Sequence, residues 1–346
     1  MAKRLYSCLL IVMLALGACS QNSNPSSGET AEEVVADSTF VGDMRHIGFG
    51  DNDQSLFALY GSTIHRWVPS TGDHRQFEVA AASTLAVSSA SPMLFVGTNE
   101  GEIVALDAES GAEVQRWTAH RPELATDSGN IGVTALAISA DGQRLASGGI
   151  DGKVALWTSS GDSVTSWATE GEVTALALSP DGTQVGAGDG QGKLTIFDLT
   201  NDDQQSVEIG KHIYGMAWSG DGSRLAATGS DVSGGTLHVW ESEGWSALSS
   251  ADSEAWLYGV AFDPNDANRL AVASRNGSVF LFDATTGRSL ETVPGSDRAV
   301  YAVAFNRGGN SVAFAGQGGS DGAGGVVYLT NLESGELRTF GFEGLE

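Results

Sequence analysis

Apolar and polar residues alternate with period two along most of this chain, in short runs broken by turns rich in Gly and Asp. Such alternation predicts half-buried β-strands rather than helices. The runs also repeat. Residues 132–157 read GVTALAISADGQRLASGGIDGKVALW, and residues 172–198 read EVTALALSPDGTQVGAGDGQGKLTIFD. The two align without a gap from Val133 and Val173, a step of 40 residues. Each phrase predicts an apolar first strand, a turn, a second strand, a Gly-containing hairpin and a third strand closed by a large residue. First strands are expected near Met44, Ala82, Val133, Val173, Ile213, Leu257 and Val300.

A four-stranded sheet of this size has two apolar faces and cannot cover both alone. Neighbours stacked in a ring can. Seven phrases therefore predict an all-β, seven-bladed propeller over residues 38–346. Six blades after an odd N-terminal strand pair is the alternative, because the first phrase is the most degenerate. The outer strand of the last blade is expected from ELRTFGFEG or from Ser38–Gly42, and the sequence leaves both open.

The residues closing the third strands, Trp67, Trp157, Phe197, Trp240 and Phe282, are expected to pack between blades. The first strands place Arg45, Ser83, Thr134, Thr174, Tyr214, Tyr258 and Tyr301 at one equivalent position facing a central channel. Three tyrosines on successive blades, with Trp256 two residues before Tyr258, offer large contact area with polar tips. A partner footprint is one reading and simple channel filling is the other. The stretch from His120 to Asn130, HRPELATDSGN, is longer than a blade link needs, so His120 and Arg121 join Arg45 as candidate partner-facing residues. Residues 318–325, GGSDGAGG, are one copy of a glycine-rich pattern without the register of a calcium repeat, and a long hairpin accounts for them.

The chain resembles the WD-repeat family from about Met44 to Leu332. Asp151 stands six residues before Trp157, where that family places a structural aspartate. His120 is similar to the histidine that such an aspartate supports. Elsewhere Glu100, Gln191, Gly234 and Asn276 replace it, and Phe197-Asp198, Trp240-Glu241 and Phe282-Asp283 approximate the terminal dipeptide.

The first residues carry an address. Lys3 and Arg4 precede an apolar run from Leu9 to Leu16 and then Leu16-Gly17-Ala18-Cys19. This is the layout of a secretory signal over residues 1–18, too short for a spanning helix. It resembles a bacterial lipobox, which implies cleavage before Cys19 and acylation of that residue, with palmitate among the expected lipids. With Ser20 where Asp would mark inner-membrane retention, the same resemblance implies the periplasmic face of the outer membrane, a surface-exposed or Gram-positive lipoprotein being the alternative. Residues 19–37 are small, polar and acidic, and they suit a flexible tether.

Composition narrows function mainly by exclusion. With 43 acidic and 18 basic residues the formal charge is -25, which repels nucleic-acid phosphates. The two cysteines are Cys8 and Cys19, so a processed chain holds no internal disulfide. The six histidines are dispersed without metal-ligand spacing. GAGDGQGK, ending at Lys193, lies across a blade hairpin and lacks the following Ser or Thr of a phosphate loop. No catalytic residue, metal or cofactor is expected. The expected function is an envelope-anchored scaffold binding a protein or peptide; a propeller hydrolase, lactonase or quinoprotein-like oxidoreductase is the alternative.

Overall fold

The computed structural model describes residues 44–50, 52–120, 132–201, 203–295, 297–317 and 326–341. The signal segment, Cys19, the tether, Ser38–Gly42, Arg121 with the rest of its insertion, and residues 318–325 lie outside them. The described residues form seven four-stranded antiparallel sheets. Strands are numbered in chain order, β1–β4 in blade I through β25–β28 in blade VII, and strand order within every sheet follows the chain. The inner strands are β1 (Met44–Gly50), β5 (Ala82–Val87), β9 (Val133–Ile138), β13 (Val173–Leu178), β17 (His212–Trp218), β21 (Leu257–Asp263) and β25 (Val300–Phe305). The phrase pattern thus yields seven blades, and the degenerate first phrase is a complete sheet.

The second and third strands of the blades are buried at nearly every position, and since successive side chains point to opposite faces both faces of a blade are covered; seven buried clusters fill the seven inter-blade spaces. Phe57 and Ile64 of blade I meet Leu85 and Leu94 of blade II. Trp157 packs between blades II and III, Phe197 between III and IV, Trp240 between IV and V, and Phe282 between V and VI. A sixth cluster joins VI to VII through Val279 and Phe314. The seventh joins VII to I and contains Met44, Trp67, Ala313 and Phe340. Phe340 comes from β28 (Leu337–Phe340), the C-terminal segment, which pairs with β27 (Val327–Asn331) as the fourth strand of blade VII. The Trp67 indole N–H also donates to the Gly341 carbonyl at 3.4 Å. Among the described residues, then, the seam between the chain ends is closed by side-chain packing.

The two ends of the ring differ in chemistry. In antiparallel blades the start of each inner strand lies beside the second-to-third-strand hairpin. The first-to-second-strand turns lie at the opposite end. There Asp141, Asp181 and Asp221 each accept a hydrogen bond at 2.6 Å from a serine two residues earlier and one from a turn N–H. These bonds hold Asp141 below the usual carboxylate range. At Asp181 and Asp221 burial acts the other way and the hydrogen bonds prevail, so both also sit low.

Candidate functional site at the channel mouth

Six of the seven inner strands break their pairing register across a single residue, and that residue is the predicted ring position. Pairing jumps from Met44 to His46 in blade I, skipping Arg45, and from Ala82 to Thr84 in blade II, skipping Ser83. It skips Thr134, Thr174, Tyr214 and Tyr301 in blades III, IV, V and VII. In blade VI it passes over both Tyr258 and Gly259. A β-bulge bends a strand and re-aims the extra side chain. Here the seven bulges stand around one cavity of about 240 Å³, lined by Arg45, Thr134, Thr174, Tyr214 and Tyr301 among others.

The ring then divides into two arcs. On blades II to IV the hydroxyls are committed to backbone. Ser83 Oγ donates to Val133 O at 2.6 Å, Thr134 Oγ1 donates to Val173 O, and Thr174 Oγ1 donates to Ile213 O at 2.8 Å. Each acceptor lies on the next blade, so these three residues stitch neighbours together. On blade V the corresponding stitch comes instead from Thr228 Oγ1, which donates to Tyr258 O. That leaves the Tyr214 side chain for another role.

On blades V to VII the ring positions form an aromatic row. Tyr214 and Tyr258 meet edge to face with centres 5.2 Å apart, and Tyr258 and Tyr301 do so at 4.8 Å. Trp256 touches both Tyr214, at 5.9 Å, and Tyr258, at 6.3 Å. Such geometries are the favourable ones for aromatic pairs. His212 lies 4.4 Å from the Tyr214 ring. Guanidinium groups sit over rings at two edges of the group: Arg45 over Tyr301 at 5.5 Å and Arg275 over Trp256 at 5.4 Å. Arg275 comes from the hairpin between β22 (Asp266–Ser274) and β23 (Val279–Asp283), and no periodicity marked it.

Charge states follow from this packing. Burial raises the Tyr214 hydroxyl above the ordinary tyrosine range despite the opposing Arg45 charge. Burial, assisted by Tyr301, raises Tyr258 further. Both therefore remain neutral hydroxyls at physiological pH. Burial deep in the channel, helped by Arg45, pushes His46 down to about 4. Burial lowers His212 as well, with Asp189 opposing the shift and Arg45 adding to it. The permanent charges of the row are thus the two arginines.

His120 has a different place. Its Nδ1 lies 2.9 Å from Asp151 Oδ1 and its Nε2 lies 3.0 Å from Ser147 Oγ. Ser147 Oγ also accepts the Trp157 indole N–H at 3.0 Å. The four side chains lock the end of blade II to blade III. His120 is 1% exposed, so it offers no surface to a partner, and its placement with Arg121 as a contact residue is corrected to a buried structural role. Arg121 lies outside the described residues. Ser147 went unnoticed in the sequence because one serine in ASGG carries no periodic signal.

A family model described as WD domain, G-beta repeat, matches residues 113–158 and 204–241. The first stretch contains Asp151, Ser147, Trp157 and His120, and the second contains Tyr214. No curated protein matches the chain.

Proposed function

We propose that this WD-repeat β-propeller protein is a lipid-anchored binding platform of the cell envelope, holding a protein or peptide partner at the blade V–VII arc of its channel mouth. The fold suits protein interaction in general. The observation that carries the location is the division of the ring. Hydroxyls on blades II–IV are tied into inter-blade bonds, whereas Tyr214, Tyr258, Tyr301 and Trp256 form a partly exposed aromatic row with polar tips. Rigid aromatic groups give contact area at low entropic cost. The address rests on the signal-like segment ending at Cys19, and the periplasmic face of the outer membrane is the reading for Ser20 at the following position.

Two measurements test this. Crosslinking in intact envelopes followed by mass spectrometry should recover a partner from the wild-type chain. The triple change of Tyr214, Tyr258 and Tyr301 to Ala should cut that recovery about tenfold or more, as loss of central anchors does. The triple change to Phe keeps the ring contacts, so it should retain most of it. Unchanged recovery from the Ala variant would remove the channel mouth as the site. For the anchor, Cys19→Ser should abolish palmitate incorporation and release the protein from membranes; retention without lipid would refute the anchoring.

A further inference from the structure

We infer that the partner segment at the channel mouth is a proline-rich peptide with basic flanking residues, its pyrrolidine rings packed on the Tyr214–Tyr258–Tyr301 row and one of its carbonyls accepting from the Trp256 indole N–H. This rests on the partner-binding reading above and adds the chemistry of the ligand.

Hydrogen-bonding supply around the row is one-sided. A peptide of ordinary sequence brings backbone N–H groups, and each needs an acceptor once water is excluded. Backbone acceptors around the row are already engaged by the protein itself. Ile213 O accepts from Thr174 Oγ1 at 2.8 Å, Leu257 O from Ser230 Oγ at 2.9 Å, and Tyr258 O from Thr228 Oγ1. Trp256 O accepts the Arg275 N–H at 2.9 Å and Ser274 Oγ at 3.3 Å. The donors are open. Trp256 Nε1 and the Arg275 guanidinium can only donate, and among the described residues neither enters a hydrogen bond. Trp256 is half-buried with its Nε1 within reach of solvent, and Arg275 is exposed. A segment that offers carbonyls and few N–H groups fits this supply. Proline has no N–H. The polyproline II helix leaves its carbonyls unpaired and is ordered before it binds, which lowers the entropic cost.

Shape and charge agree. Ring planes turn by 84° from Tyr214 to Tyr258 and by 71° from Tyr258 to Tyr301, so the row is ridged rather than flat. Such a surface takes pyrrolidine rings between its ridges, whereas one flat ring laid across it would meet edges. Tyr214 and Tyr258 keep neutral hydroxyls at physiological pH, so the row itself demands no charge of its ligand. Ring faces recruit cations, but Tyr301 and Trp256 already carry Arg45 and Arg275, at 5.5 and 5.4 Å. Charge enters at the margin. Carboxylates outnumber basic groups at this end of the ring. Asp252 and Glu254 lie at the end of β20 (Ala247–Ser253) and just before Trp256, and both are exposed. Neither enters an ion pair among the described residues, and the two outnumber the single charge of Arg275. A basic residue beyond the proline run meets unpaired carboxylate there, the complementarity that steers and selects partners.

The test is titration calorimetry of the full chain with three synthetic peptides of equal length. The first carries a run of alternate prolines followed by two lysines. The second has alanine for every proline, and the third has glutamate for both lysines. The first should bind, with the second about tenfold weaker or more at low and high salt alike. The third should bind more weakly than the first, by a margin that added salt closes. Trp256→Phe keeps an aromatic ring and removes the N–H, so it should weaken the first peptide about three- to tenfold, the worth of one hydrogen bond. Unchanged circular dichroism and melting confirm that the variant is folded, and unchanged affinity in it would overturn the bond to the indole. Equal binding of the alanine peptide would overturn the proline chemistry and leave the partner platform standing. Glutamate flanks that bind as tightly as lysine would overturn the basic flanks. Binding of the first peptide that survives the triple change of Tyr214, Tyr258 and Tyr301 to Ala would overturn the row as its seat. No binding by any peptide, with a tyrosine-dependent partner still recovered by crosslinking, would overturn this inference alone; loss of that recovery as well would bring down the platform with it.

Discussion

Thr134 and Tyr214 occupy one position of the repeat and one kind of bulge, yet they act differently because of what each can reach. A short hydroxyl on a bulged residue meets the carbonyl of the next blade. A phenol is too long for that carbonyl and reaches across the mouth to its neighbour. Another residue-scale case is His65, buried in blade I. Its Nδ1 lies 3.0 Å from His74 Nε2, and both rings stack with Trp67. Burial first, and the His74 charge second, push His65 from 6.5 down to about 4. The sign follows: between these values the unfolded chain binds the proton and the native one does not. Stability is therefore intact above about 6.5 and is lost as pH falls towards about 4, by an amount on the order of 3 kcal/mol. Urea midpoints at pH 7.5 and 4.5 should show this loss in the wild type and a smaller one in His65→Gln. An equal loss in both would assign the acid sensitivity elsewhere.

At the scale of the element, blade III is held by a buried polar network and blades V and VI by close backbone approach. Ser147 serves His120 and Trp157 at once. Ser147→Ala strands two buried groups, and a cost of about 2–4 kcal/mol in urea unfolding is expected, with Ser147→Thr recovering part of it. A cost under half that range would mean that water replaces the hydroxyl. In blade V the residue after the ring tyrosine is Gly215. A Cβ there would stand 2.6 Å from the Tyr258 carbonyl oxygen, a backbone atom that cannot rotate away. Gly215→Ala is expected to part blades V and VI and lower stability by about 1–3 kcal/mol, seen as a lower urea midpoint. Stability equal to wild type would show that the blades have slack.

At the scale of the whole molecule, closure depends on the last interface made. Met44, Trp67 and Phe340 bring together the two ends of the described chain. Every other interface joins blades adjacent in sequence, so this one closes the largest loop. The formal charge of -25 opposes the same compaction. Salt screens such repulsion, with a Debye length of about 10 Å at 0.1 M. The melting temperature is expected to rise by several degrees from 20 mM to roughly 0.5 M sodium chloride, as screening relieves self-repulsion. A fall would mean that attractive pairs such as Lys193–Glu170 outweigh net repulsion.

The period-two pattern and the repeat of about 40 residues placed the strands and the ring positions and left seven blades against six, because face and period are local properties of a β-chain, and the structure decided for seven. Asp151, six residues before Trp157, was visible for the same reason. Partners across blades were not. Whether the Ser83 hydroxyl finds Val133 O, or His120 crosses its insertion to reach Asp151, depends on how neighbouring sheets stack. Arg275 belongs to the mouth because the pairing of β21 with β22, Leu257 opposite Ser274, sets it beside Trp256, a register that no periodic signal marked. Alternation in the chain therefore determined which residues face the channel. The bulges and the packing of blade on blade decided which of them are tied to backbone and which join the aromatic row, since those contacts join atoms far apart along the chain.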